Sequence, residues 1–329
     1  MQETNMNERR KFLTATMALA AGAALRPAWA AAAYPERPIR LVVPYAPGGG
    51  SDVLARVVAR GLTERLGVSV VVENRGGAGG AMGLESVVRS QPDGYTLVLL
   101  STSHASNGAV MRLNYDVVKD TSAVGLIASG PWLLVAGKET GFSRLEDLLR
   151  AAKEKPGSLN YASSGTGSST HLATELFAHK AGISVSHVPY RSTGLALTDL
   201  MANRIQFMLA SAASVTSYVR EGRLAALCVS TESRSSLLPD IPTAQEAGVA
   251  GFSEILWHGL SAPAGTPDVV VNMLNTHLSE ALQAPALREQ FAREGLEPKS
   301  STPRAFAELV ARDVEVWREA VRTANIKLD

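Results

Sequence analysis

Residues 39–62 read IRLVVPYAPGGGSDVLARVVARGL. The run Ile39, Leu41, Val42 and Val43 predicts a short buried strand. Pro44 and Pro47 end it, because neither donates a backbone N–H. Gly48, Gly49 and Gly50 predict a loop where positive φ costs little and no side chain blocks close approach. Ser51 and Asp52 then open a helix, with Leu54, Val57, Val58 and Leu62 on its core face. Strand, glycine loop and helix start aim free N–H groups and a positive dipole end at one small volume, which suits an anion.

The pattern returns in residues 159–178, LNYASSGTGSSTHLATELFA. Leu159, Tyr161 and Ala162 predict a strand, Gly165 and Gly167 a loop, and Leu172, Leu176 and Phe177 the apolar face of a helix. Hydroxyls crowd the loop at Ser163, Ser164, Thr166, Ser168, Ser169 and Thr170. Two anion cradles far apart in sequence predict two lobes facing one cleft.

Further strands are expected at 68–72, 95–100, 124–128, 131–136, 185–189, 205–209 and 224–229, alternating with helices; the C-terminal third is helical. That alternation implies an α/β chain with a mostly parallel sheet, with ligands beyond the strands' carboxyl ends. The loops at 46–51, 74–83 and 101–107 share that edge.

Residues 1–30 predict an export signal: Arg9, Arg10 and Lys11, an apolar run from Thr14 to Leu25, then Ala28–Trp29–Ala30 as cleavage site. The paired arginines fit the twin-arginine route, and the general secretory route is the alternative. The leader carries a net +2 of the chain's +1, leaving about −1, so there is no basic footprint for nucleic acid. The single cysteine, Cys228, excludes an intrachain disulfide and is expected to be a small buried hydrophobe.

Catalytic signatures are sparse. Gly77, Gly79 and Gly83 miss dinucleotide spacing by one residue, and no G-x-S-x-G elbow occurs. His171 and His179 lie about 12 Å apart at helical rise, too far to share a metal. An acyl hydrolase using Ser168 or Ser169 with His104 or His171 remains the alternative to a binding protein. His104 is expected in a cleft loop, as ligand donor or structural partner. Arg191 is the cation best shaped for a carboxylate, with a surface salt bridge as the other reading. Asp52 and Asp199 are helix caps, or in Asp199's case an acceptor for the ligand. Tyr45 and Trp257 either fill the core or wall the pocket.

YPERPIRLVVPYAPGGGSD (34–52), VVVENRGGAGGAMG (70–83), ASSGTGSSTHLATELF (162–177), VPYRSTGLALTDLM (188–201), LPDIPTAQEAGVAGF (238–252), WHGLSAPAGTP (257–267) and STPRAFAELVARDVEVW (301–317) together resemble the periplasmic receptors of tripartite tricarboxylate transporters, the Bug family. The chain departs at Leu195, where the family often has Pro. The resemblance implies a two-lobed periplasmic-binding-protein (Venus flytrap) fold, each lobe a mostly parallel sheet flanked by helices. Lobe 1 would span 31–130 plus 258–329 and lobe 2 131–257, with hinge crossings near 130 and 257. It implies an exported, monomeric receptor of the periplasm that passes a small organic carboxylate to membrane transporter subunits, with no enzyme activity, cofactor, metal or nucleic acid. Ligand contacts are expected from Tyr45, Pro47, Gly48, Gly49 and Asp52, and from Ser101, Thr102 and His104. The second loop adds Ser163, Gly165, Thr166, Gly167, Ser168 and Thr170, and the next strand end Tyr190, Arg191 and Asp199.

Replacing Arg9 and Arg10 by Lys separates the export routes. Periplasmic yield collapses if the twin-arginine route operates and is unchanged under general secretion; fractionation reads the difference.

Overall fold

The computed structural model describes residues 34–293, 296–324 and 326. The predicted export signal and the helix stop expected at Gly295 lie outside the described residues. The chain divides into a unit at 1–36, of which only 34–36 is described, and a unit at 37–329, which holds everything below.

Strand β1 (Ile39–Val43) is buried along its apolar positions and stops at Pro44. Helix α1 (Gly50–Leu66) follows and ends at Gly67, whose φ of 71° supplies the left-handed cap that side chains resist. Strands β2 (Val70–Asn74) and β3 (Thr96–Ser101) flank β1 in parallel. Helix α2 (Ala81–Val88) lies between them in sequence. The stretch expected as a loop at 101–107 is instead the start of helix α3 (Thr102–Val110). Its hydroxyl-rich run nucleates rather than interrupts: the Ser101 N–H donates to His104 Nδ1 (3.0 Å), one arm of a capping box.

The two strands expected at 124–128 and 131–136 are one, β4 (Thr121–Gly137). Its first part pairs antiparallel with β9 (Ile255–Pro263) and with the short β10 (Glu297–Pro298). Its last part, from Trp132 on, pairs antiparallel with β7 (Phe207–Ser211) and β8 (Leu224–Val229). The exchange of partners falls at Pro131, the last residue in register with β9. Proline has no N–H to extend that ladder. Beyond it the Ser230 hydroxyl takes over, accepting the Trp132 N–H (2.9 Å) and donating to the Glu254 carbonyl (2.6 Å).

Strands β5 (Asn160–Ser163) and β6 (Ser186–Pro189) complete the order β2-β1-β3-β9-β4-β7-β5-β6, with β5 parallel to both β6 and β7. The sheet is therefore mixed: parallel in its flanks, antiparallel around β4 and β9. Helices α4 (Leu145–Glu154), α5 (Ser169–Ala181), α6 (Thr193–Met201) and α7 (Ala212–Arg220) belong to the second flank. Helices α8 (Asp268–Gln283), α9 (Pro285–Arg293) and α10 (Pro303–Ala324) form the C-terminal third. Cys228 is buried as expected, and burial pushes its thiol up to about 12. No helix among the described residues is long and apolar enough to cross a membrane.

Helix α10 seats Phe306 directly on the β9 backbone at Gly259, where a Cβ would stand 2.0 Å from the ring's Cζ. Both groups are buried. Gly259→Ala is expected to cost about 1–3 kcal/mol by overpacking, read as a lowered midpoint in urea unfolding.

Candidate functional site

Helices α1, α3, α5, α6 and α7 each begin immediately beyond a strand or a short loop after one. Their N-caps are Gly49, Ser101, Ser168, Ser192 and Ser211. Residues at or near these helix starts converge on a small cavity of about 40 Å³. It is floored by Gly49, Gly50 and Ser51 from α1, and by Ser101 and Ser103 from the start of α3. From the other flank come Ser164 and Thr170, Ser192 and Thr193, and Ser211 and Ser214. Tyr45, Trp132, Leu256 and His258 close the wall. Among the described residues, no aspartate, glutamate, lysine or arginine lines it. The attraction it offers an anion is thus made of N–H and O–H dipoles and helix ends, without a formal positive charge.

Contacts between the two flanks shut this cavity. The Gly50 N–H donates to Ser214 Oγ (3.0 Å), and Ser103 and Ser169 share a hydroxyl bond of 2.8 Å. The Ser106 hydroxyl donates to the Gly167 carbonyl (3.0 Å). Gly165 sits at φ +125°, and a Cβ there would meet the Gly79 N at 3.0 Å and its Cα at 3.1 Å. Glycine is required at that position by both conformation and closeness.

The N–H groups of the second glycine loop are largely taken up within the protein. In the second loop the Ser164 N–H donates to Thr170 Oγ1 (2.9 Å), Gly165 N–H to Ser163 Oγ (3.1 Å) and Gly167 N–H to His171 Nδ1 (3.1 Å). The Ser169 N–H goes to Ser103 Oγ (3.2 Å). That loop braces itself and the opposite flank, leaving the hydroxyls of Ser164 and Thr170 at the cavity. In the first loop Gly48 N–H donates to Asp52 (3.1 Å), and Gly49 has an ordinary extended φ of −88° with open space beyond its Cα. The positive φ is at Gly48.

Of the residues predicted for the site, Tyr45, Gly49, Ser101 and Thr170 stand in the cavity wall. Pro47, Gly48, Asp52, Thr102, His104, Ser163, Gly165, Thr166, Gly167 and Ser168 do not line it. Burial pushes Asp52 upward, but bonds from Arg56, the Gly48 N–H and Asn74 outweigh it and hold the carboxyl below its usual range. Arg191 is exposed and does not line the cavity. Asp199 accepts from the Tyr190 hydroxyl (2.7 Å) and pairs with Arg204 (3.0 Å). Those bonds, Tyr190 first, lower its carboxyl and direct it away from any ligand role. Trp257 is core: its Nε1 donates to Asp313 (2.9 Å) and its ring packs on Phe306.

The predicted contacts did not include Gly50, Ser51, Ser103, Ser164, Ser192, Thr193, Ser211, Ser214, Trp132, Leu256 and His258. Ser211–Ser214 had a local signal, since LASAAS repeats the pattern of strand, small hydroxyl residues and helix start without a glycine. Trp132, Leu256 and His258 had none; strands β4 and β9 carry them in. Trp132 is 4% exposed, and its Nε1–H has no partner among the described residues. A buried indole N–H without an acceptor is costly unless a guest supplies one.

Hydrolase geometry is not assembled. Ser168 Oγ donates to the Gly165 carbonyl (2.6 Å) and accepts the His171 backbone N–H (3.4 Å), and Ser169 Oγ meets Ser103, so neither hydroxyl meets a histidine ring. His171 accepts the Gly167 N–H and stacks on His187 with centroids 3.9 Å apart. Ser51 does meet His258 Nε2 (3.2 Å), but no carboxylate orients the ring from Nδ1.

Residues 54–326 match the family described as "Tripartite tricarboxylate transporter family receptor". Protein BugT of Bordetella pertussis (strain Tohama I) is 36% identical over 298 residues, 90% of this chain and 91% of that one. The solved structure titled "R. palustris Rpa4515 with adipate" has a TM-score of 0.86 at 33% identity, covering 89% of this chain and 99% of that one. "MatC (Rpa3494) from Rhodopseudomonas palustris with bound malate" has a TM-score of 0.84 at 31% identity, covering 88% and 100%.

The buried histidines set a pH dependence. Burial lowers His104 and His187 to about 4, and His171 and His258 to about 3, from an ordinary 6.5. Neighbouring histidine charge adds to the lowering at His171 and His258. Below 6.5 the unfolded chain binds protons that the folded chain refuses, so this stability is full above 6.5 and is lost as pH falls toward 4. Burial raises Glu254 to about 7 and Asp313 to about 6, which opposes the loss. Between about pH 4.5 and 6 the balance is roughly two protons, or up to about 3 kcal/mol per pH unit. Urea unfolding across that range is expected to show stability dropping with acid; a flat profile would contradict the assignment.

Proposed function

Because the chain belongs to the tripartite tricarboxylate transporter receptor family, we propose that it captures one small organic carboxylate in the hydroxyl-lined cavity and hands it to its transporter. It is a solute-binding receptor and not an enzyme. The observation that carries the carboxylate reading is the convergence of five helix N-termini on a cavity without an acidic side chain. A carboxylate at such ends gains about 0.3–1 kcal/mol from each well-placed helix dipole, and more when desolvated. The orphaned Trp132 Nε1–H is a further donor awaiting an acceptor. The adipate and malate bound by two structural relatives fall in the same chemical class.

In this reading the flanks on either side of Pro131 are two lobes, 31–130 with 258–329 and 131–257. They open about the crossings of β4 and β9 near 130 and 257, where few torsions need change. The leader sends the chain to the periplasm, where it works as a monomer with the membrane subunits of a tripartite transporter. The ligand set is Tyr45, Gly49, Ser101 and Thr170 from the sequence reading, joined by Ser51, Ser192, Ser214 and Trp132.

A thermal-shift screen of malate, adipate, citrate, glutamate and benzoate tests this. A carboxylate at 100 times its Kd stabilises by about 2.7 kcal/mol. Trp132→Phe keeps the ring and removes the donor, so affinity is expected to fall about 10- to 100-fold, as for a lost hydrogen bond to a charged group. Stabilisation by neutral sugars and by no carboxylate would overturn the proposal.

A further inference from the structure

His258 is the one cavity-lining side chain that becomes a cation by taking up a proton. It sits on β9 between β3 and β4, in register with Ser101 on one side and Ala128 on the other. It is 3% exposed. Nε2 meets Ser51 Oγ at 3.2 Å, while Nδ1 has no hydrogen-bond partner among the described residues. Ser51 belongs to the first turn of α1, so the ring touches the helix end best placed to hold an anion.

A carboxylate enclosed here brings a full negative charge into a space with no lysine or arginine in its wall. Dipoles stabilise that charge but do not neutralise it. We propose that His258 neutralises the bound carboxylate by taking a proton from solvent as the anion enters, so that ligand and proton bind together. This rests on the carboxylate reading above. The step forms one N–H bond on the imidazole, breaks one in hydronium or buffer acid, and leaves the ligand chemically unchanged.

The surroundings permit the exchange in one direction only. In the empty cavity the ring is held neutral, chiefly by burial and secondarily by His104, down to about 3. Around it, α3 contributes His104, itself neutral to about 4. Tyr45 lines the same wall, and burial raises its hydroxyl so that it stays uncharged. On α1, Asp52 is turned to Arg56 and Asn74. From α10, Asp313 is engaged by Trp257. None of these groups supplies a fixed counter-charge, so the incoming anion is what makes imidazolium favourable. An opposite charge within about 4–6 Å favours the protonated form of such a group, so the bound carboxylate raises the ring's affinity for a proton.

The linkage sign follows. On the acid side of neutrality the complex holds a proton that the free protein lacks, so affinity rises as pH falls. Titration calorimetry with malate, adipate, citrate, glutamate and benzoate at pH 8.0 and 5.5, each in two buffers of different ionisation heat, tests it. Wild type is expected to bind several-fold tighter at pH 5.5 than at 8.0, taking up a fraction of a proton at 5.5 and about none at 8.0, after subtraction of the ligand's own protonation. H258Q retains a polar side chain but cannot be protonated, and is expected to lose both effects. Ring-nitrogen NMR of wild type gives the same answer without the variant: His258 neutral when free and doubly protonated in the complex at pH 5.5. Binding at equal strength without proton uptake, uptake that persists in H258Q, or a neutral ring in the complex each overturns the role of His258 and leaves the receptor reading standing. If no carboxylate binds at either pH, the carboxylate reading fails and takes this inference with it.

Discussion

The antiparallel pairing of β4 with β9 is the constraint on which the rest depends. The ladder runs from Thr121 opposite Pro263 to Pro131 opposite Ile255, through the middle of the sheet. At Pro131 the chain can no longer donate, and β4 passes from one set of partners to another. Two sets of parallel strands, β2-β1-β3 and β7-β5-β6, are thereby joined through one strand pair with their carboxyl ends toward a shared cavity. Phe306 packed on Gly259 and Ser230 bridging Trp132 to Glu254 lock that pair. Without it the helix starts of the two flanks would not face one another.

The cavity pursues anion affinity by geometry rather than by formal charge. Charged side chains near it are spent on one another: Asp52 with Arg56 and Asn74, Asp199 with Arg204 and Tyr190. A bare arginine in so enclosed a space would bear its own desolvation cost whenever the ligand was absent. Hydroxyls and first-turn N–H groups avoid that cost, because they bond to each other, as Gly50 does to Ser214 and Ser103 to Ser169. An arriving carboxylate exchanges these bonds for charge-assisted ones of about twice the strength. The buried histidines are likewise held neutral, by burial first.

The second glycine loop acts as a brace. Its N–H groups are consumed by Ser163, Thr170, His171 and Ser103, and beneath it His171 and His187 stack against Tyr161. Gly165 allows the Gly79 backbone to come within contact, so one flank seats on the other. Rigidity in this loop positions Ser164 and Thr170, which reduces the entropy lost when a ligand binds.

Local pattern in the sequence determined the secondary elements, the α/β class and the edge of the sheet where the cavity lies. Strand and helix periods and glycine or hydroxyl caps are set within a few residues, and the ordered motifs carried the family. The two glycine-loop units were legible for the same reason, and four predicted site residues stand in the cavity wall. The loop expected at 101–107 was misread because Ser101 and His104 cap a helix there, a bond between side chain and backbone that composition does not reveal. Only the tertiary structure decided which N–H groups remain for a ligand, since that depends on what each loop bonds to across the cavity. It alone brought Trp132, Ser214 and His258 to the same wall. They lie on β4, α7 and β9, far apart in the chain, and strand register joins them where no local period could.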